Sequence, residues 1–223
     1  MKIAYFDCIA GASGDMILGA LLDAGIPLQK LQEQLSLLRL EGFELKTRRV
    51  MKNGLSATQA EVIVADHVPE RHLPELVEII QASELASSIK EQAVAIFQRL
   101  GQVEANIHGI SLEQVHLHEL GGLDTIVDVA GALAGLHLME VEQVQVSALP
   151  LGRGFIQSAH GRLPLPAPAT VALLHGAPVT GTDLEVELVT PTGAAILTSL
   201  AQSFGPIPAM TLKVVGYGAG RRD

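Results

Sequence analysis

MKIAYFDCIAGASGDMILGALLDAG, residues 1–25, decides the fold class. Residues 2–7 form a short apolar run of β-prone side chains. Residues 8–15 are a small-residue turn, and residues 16–24 are apolar nearly all round and are closed by Gly25. A strand, a glycine turn and a buried helix in that order open an α/β layer.

The rest of the chain reads outward from this unit. Pro27 opens a helix to about Leu38, with Leu28, Leu31, Leu35 and Leu38 at helical spacing. Residues 43–50 and 56–65 alternate apolar with polar, and Lys52-Asn53-Gly54 between them predicts a hairpin. Two amphipathic helices are expected over 72–82 and 86–106, and a buried Ala/Gly-rich helix over 126–139. A strand at 141–149, a glycine loop at 152–161 and a short helix at 169–175 come next. A short strand is read at 185–189, a helix from Thr190 to about Ser203, capped by Thr190 with Pro191 at its first position, and a last strand at 210–217. The expected fold is α/β: a layered mixed sheet with helices, plus a mostly helical insertion. The whole of 1–223 is read as one domain, with a hairpin and helical subdomain at about 43–110. The glycine-rich turn at 216–223 looks like one that leads onward, so a fragment or truncated product is expected.

Composition narrows the function. Of 223 residues, 48% are hydrophobic and 17% charged, enough to bury a large core and to exclude general disorder. Aromatics are 3%, so Leu, Val, Ile and Ala must build that core. A net charge of −9 lacks the basic footprint of a nucleic-acid binder. One cysteine, Cys8, excludes an internal disulfide framework, and no signal peptide is read, so a cytoplasmic home is expected. The charge-free stretches 163–182 and 188–212 are broken by prolines, so no membrane span is expected.

Four constellations could carry chemistry. Asp7 with Gly11-Ala-Ser-Gly-Asp15 puts backbone N–H groups at a helix start, which suits an anion, and adds Asp7 and Asp15, which suit it only with a divalent cation between. The bland reading is that Ser13 or Asp15 caps the helix. His116-Leu-His118-Glu119, followed by Asp124 and Asp128, gathers five metal-competent groups. The two histidines share a side if extended, and the two aspartates share a helix face. Imidazole with carboxylate suits Zn, Ni, Fe or Mn. The alternative is a solvated turn with Asp124 as N-cap. Gly152-Arg153-Gly154 with His160 and Arg162 could hold an acidic ligand, or be a rigid loop with surface arginines. Thr190-Pro-Thr192-Gly193 is a second anion-friendly helix start, or plain capping. Ser13, Gly14, Thr190 and Thr192 are expected to lie near one another around a phosphate-sized space, because an open α/β sheet binds ligands beyond its strand ends. Cys8 reads as a small buried thiol, His137 as a core or interface histidine, and His67, His72, His108 and His175 as surface.

Five of these segments, in order, resemble one family: residues 7–16, 115–128, 149–155, 159–169 and 187–195 are similar to the LarC family of nickel-insertion proteins. The resemblance runs from the first residues to Asp223. It implies insertion of Ni(II) into pyridinium-3,5-bisthiocarboxylic acid mononucleotide, forming metal–carbon and metal–sulfur bonds. The product is the nickel-pincer nucleotide of lactate racemase and related enzymes. It implies CTP with Mn or Mg as cofactors of the full-length protein, the chelatase's place among the lyases, a small-molecule nucleotide substrate, and nickel-pincer-dependent enzymes downstream. It implies also a partner in the protein's own C-terminal, CTP-associated domain, which is expected to be missing here; a homo-oligomer is compatible with it. The histidine tract that members carry after the hairpin is reduced here to His67 and His72. On the resemblance and the residues together, one cation site is expected from His116, His118, Glu119 and Asp124 or Asp128, with Asp7 or Asp15. Phosphate contacts are expected from Ser13, Gly14, Arg153, His160, Thr190 and Thr192. Two other readings stand beside it: a non-catalytic module that holds nickel or the precursor, and a metal-dependent phosphohydrolase.

Overall fold

The apolar residues of β1, Ile3–Phe6, find a parallel partner far along the chain. β1 pairs with β4, Gln143–Val146, and β4 pairs in parallel with β9, Ala201–Phe204, giving the order β1-β4-β9. Parallel neighbours need long crossovers. Here the first crossover is everything between Phe6 and Gln143. The computed structural model describes residues 1–65, 71–115, 117, 122–158 and 161–221.

Helix α1, Gly14–Asp23, leaves the first turn and packs on α5, Leu123–Leu138. α5 is apolar on nearly every face, so it can only be a core element. It is covered by α1, α2 (Leu28–Ser36), α4 (Ser87–His108), α7 (Pro191–Leu200) and strand β3 (Leu55–Val64). β2, Phe43–Lys52, and β3 form the expected antiparallel hairpin. Asn53 and Gly54 both take positive φ in its two-residue turn, as a hairpin of this length requires. α3, Leu73–Ala82, lies against α4, which also packs on α6, Pro168–Leu173, and on α7. One buried cluster of Leu, Ile, Val and Ala runs through all these elements, with Phe97 as its large fully buried aromatic.

The remaining strands differ from the sequence reading. Residues 152–161 hold strand β6, Gly154–Ser158, which pairs antiparallel with β7, Gly161–Leu165; the expected loop is a two-stranded ribbon. β5, Leu149–Leu151, pairs in parallel with β8, Val179–Gly181. Residues 185–189 form no strand: only Val189 bridges, to Ala12. α7 ends at Leu200 rather than near Ser203, because residues 201–204 are taken up by β4 as β9. Residues 210–217 form no strand either. The chain meets β3 where Gly218 bridges Thr58, with Thr58 N–H donating to the Tyr217 carbonyl, Ala219 N–H to the Thr58 carbonyl and Gln59 Nε2 to the Gly220 carbonyl at 2.9 Å. The class is α/β with mixed parallel and antiparallel pairing, as expected. Among the described residues no helix is long and apolar enough to cross a membrane.

Candidate functional site

Two helix starts meet. Ala12 N–H donates to the Leu188 carbonyl at 2.9 Å, and Thr190 N–H donates back to the Ala12 carbonyl at 3.0 Å. The turn before α1 and the turn before α7 are thereby stitched together. Gly193 is required by this crossing: a Cβ there would overlap the Ala12 carbonyl oxygen. Thr190 caps α7 by accepting the Gly193 N–H at 3.1 Å, and Thr192 is buried beside it. Ser13 donates its hydroxyl to the Asp15 carboxylate, which also accepts the Met16 N–H at 2.9 Å. Ser13, Gly14, Thr190 and Thr192 therefore belong to one neighbourhood.

Asp128 sits in that neighbourhood with an unmet need. Its carboxylate lies against the backbone of Gly14, so closely that a Cβ on Gly14 would overlap Oδ2. Its Oδ1 is buried without a hydrogen-bond partner among the described residues. Burial holds the Asp128 carboxyl well above the usual carboxylate range, with the nearby charges of Asp15 and Asp124 pushing the same way and Arg221 opposing them. Arg221 reaches Asp15 at 3.9 Å. Asp124, in the first turn of α5, is exposed. Among the described residues, no three His, Cys, Asp or Glu side chains stand at metal-holding geometry.

Next to this cluster a cleft of about 360 Å³ opens between the ends of α4, α5 and α7 and the β6–β7 ribbon. Its apolar wall includes Leu117, Ile156, Leu163 and Pro168. Asp124, Thr190 and Thr192 line it, as do Glu104, His108 and Glu187, which the sequence reading did not select. An apolar cleft with a few convergent polar groups is the usual form of a small-molecule site. His108 is on the surface, as expected, but it is not isolated: its Nε2 is 3.3 Å from the Glu104 Oε2, and Glu104 is only 9% exposed. A signal for this pair was present, since Glu104 and His108 are one helical turn apart and Glu104 interrupts an apolar face.

The other expected residues are distributed differently. Arg153 is outside the cleft, engaged with Asp183 through its backbone carbonyl at 3.3 Å and its carboxylate at 3.6 Å. Asp7 is exposed at the end of β1. Cys8 is buried, and burial pushes its thiol up to about 12, with Ser147 lowering it and Asp7 raising it further. A thiol that resists ionisation is a poor nucleophile. His116, His118, Glu119 and His160 lie outside the described residues, as do His67 and the rest of 66–70; Leu117, between the two histidines in sequence, is buried and lines the cleft. Arg162 lies on the ribbon with its guanidinium 4.2 Å from the centre of the Phe155 ring.

Comparison with known proteins adds the family. The model of the family described as nickel insertion protein matches residues 4–223. A protein of Geobacter sulfurreducens, provisionally named a nickel insertion protein, is 50% identical over 225 residues, which is 100% of this chain and 58% of the relative. A pyridinium-3,5-bisthiocarboxylic acid mononucleotide nickel insertion protein of Desulfitobacterium hafniense is 48% identical over 223 residues, 100% of this chain and 56% of the relative. The chain thus spans less than two thirds of the length of these relatives. No solved structure matches significantly.

Proposed function

The chain belongs to the nickel insertion protein family, and from that premise we propose that it takes part in inserting Ni(II) into pyridinium-3,5-bisthiocarboxylic acid mononucleotide. Nickel is cargo in this reaction, and the product is the nickel-pincer nucleotide used by enzymes of the lactate racemase type. The observation that supports the reading is the buried, unpartnered Oδ1 of Asp128 beside Asp15 and Asp124. A carboxylate is not buried without a partner at no cost, and a cation relieves that cost.

The cation site is proposed to draw on Asp128, Asp124 and Asp15 together with His116, His118 and Glu119. Carboxylates suit Mn or Mg, and imidazoles suit Ni(II). The orphaned oxygen of Asp128 fits a divalent ion that accompanies CTP in the full-length protein. Bound there, such an ion would screen an anionic substrate from the surrounding carboxylates. The chain's own residues supply the rest. The N-terminus of α7 offers the Thr192 N–H, the Thr190 and Thr192 hydroxyls and its positive dipole end to the substrate phosphate. Leu117, Ile156 and Leu163 offer an apolar wall to the pyridinium ring and exclude water from it. His160 is a further candidate for the phosphate, as is Arg153 if it leaves Asp183. The cytoplasm is the proposed location.

The test is direct. The protein is incubated with Ni(II), the bisthiocarboxylate nucleotide, CTP and Mn(II), and the nickel adduct is read by mass spectrometry. Adduct formation supports insertion. Nickel or precursor retention without adduct would favour a holding module, and phosphate release from simple monophosphates without nickel transfer would favour a hydrolase.

A further inference from the structure

Glu104 and His108 are an unexplained pair. Glu104 lies on the buried side of α4, among Leu100, Gly101 and Ala105, and is 9% exposed. Such a position is rare for a carboxylate. A histidine in the last turn of a helix is ordinary, because the C-terminal carbonyls favour a cation. Helix-end capping does not explain why a carboxylate is buried one turn earlier, in the wall of a cleft that already carries Asp124 and Glu187. His108 Nε2 at 3.3 Å from Glu104 is instead an arrangement in which a carboxylate orients an imidazole.

The proposed reaction has a use for that imidazole. A ring with thiocarboxylates at positions 3 and 5 holds a metal between its two sulfurs, directly against C4. Forming the nickel–C4 bond breaks the C4–H bond. The C–H electron pair becomes the metal–carbon bond, nickel stays Ni(II), no oxidant or reductant is consumed, and one proton leaves. We propose that His108 accepts this C4 proton and that Glu104 is the positioning residue that holds the imidazole for it. The assignment rests on the nickel-insertion reading.

The experiment measures insertion by the full chain with substrate carrying protium or deuterium at C4, for wild type, His108→Gln, His108→Asn and Glu104→Gln. His108→Gln should slow insertion on the order of 10²-fold, the usual scale of general-base loss. The C4 isotope effect should rise in that variant while substrate affinity by calorimetry stays within about twofold, the outcome of losing a transition-state contact alone. Glu104→Gln should move rate and isotope effect the same way, less strongly. Added imidazole should restore part of the rate of His108→Asn, which a purely structural loss would not permit. His108 variants with the wild-type rate and isotope effect would overturn this assignment and leave nickel insertion standing. A wild type that makes no adduct even when supplied with the C-terminal part of a full-length relative would overturn the insertion reading and the assignment with it.

Discussion

The carboxylate of Asp128 rests on the backbone of Gly14, with its Oδ2 where a side chain at position 14 would begin. Two helices, α1 and α5, are thereby in contact through a carboxyl group at the point where the turn of α1 crosses the turn of α7. The other Asp128 oxygen, Oδ1, is buried with no hydrogen-bond partner among the described residues. A fold that only needed stability would place an apolar residue there.

Asp128→Asn should therefore stabilise the metal-free protein. Folded Asp128 keeps its proton above the ordinary carboxylate value, so between that value and its own raised one the folded state binds more protons than the unfolded. Stability then falls as pH rises from about 3.9 until Asp128 ionises in the fold as well. The variant should remove this loss and gain about 1–3 kcal/mol near neutral pH, the scale of an unsatisfied buried group. Urea unfolding at several pH values checks it; Mn(II) should stabilise wild type and leave the variant unchanged.

Gly14→Ala should destabilise, although replacing glycine by alanine in a helix ordinarily helps by about 0.5–1 kcal/mol. The added methyl meets the Asp128 carboxylate and must push α1 off α5 or turn Asp128 away. A cost of about 1–3 kcal/mol is expected, read as a lowered urea midpoint.

Asp23 shows the opposite pH behaviour. Burial alone would raise its carboxyl, but the Tyr217 N–H at 2.8 Å, the Thr58 hydroxyl at 2.7 Å and the Arg49 guanidinium hold it below the usual range. The stability this gives is present above the unfolded carboxylate pKa and is lost as pH falls through the folded one. Asp23→Asn should cost about 1–3 kcal/mol at neutral pH and less in acid. It should also loosen the segment around Tyr217, visible as faster amide exchange at Tyr217 and Ala219.

The first layer of the fold was legible because its signals are local. A small-residue turn between apolar runs gives β1 and α1, and Asn53-Gly54 between alternating runs gives the hairpin. The failures have one physical cause: strand pairing is decided by a distant partner. Val186 and Leu188 alternate with polar neighbours as a strand would, yet the Leu188 carbonyl is used by Ala12 and the Val186 carbonyl faces Gly152, so no ladder forms. Leu212, Val214 and Val215 read as a strand and stay exposed for want of a partner. Ala201–Phe204 continue the pattern of α7 but are drawn onto β4. Glycines and Pro164 concealed the β6–β7 ribbon. In the site, Asp124 and Asp128 were found from their spacing on one helix, whereas Glu104 and Glu187 reach the cleft only through tertiary packing.

Cys8 should be unreactive in the folded protein. With its thiol pushed up to about 12 by burial, iodoacetamide at pH 8 should label it only as fast as the region opens, and urea should accelerate labelling sharply. Cys8→Ala should leave nickel insertion intact.

Calorimetric titration with Ni(II), with and without pyridinium-3,5-bisthiocarboxylic acid mononucleotide, tests the central claim most directly when wild type is compared with the double change His116→Ala and His118→Ala and with Asp128→Asn. Wild type should bind nickel reversibly, more tightly with the nucleotide present, and less tightly as pH falls through about 6.5, where imidazole protonates. Both variants should lose at least tenfold in affinity. Unchanged nickel affinity in both would contradict the account and make the carboxylates around Asp128 a buried polar network without a cation.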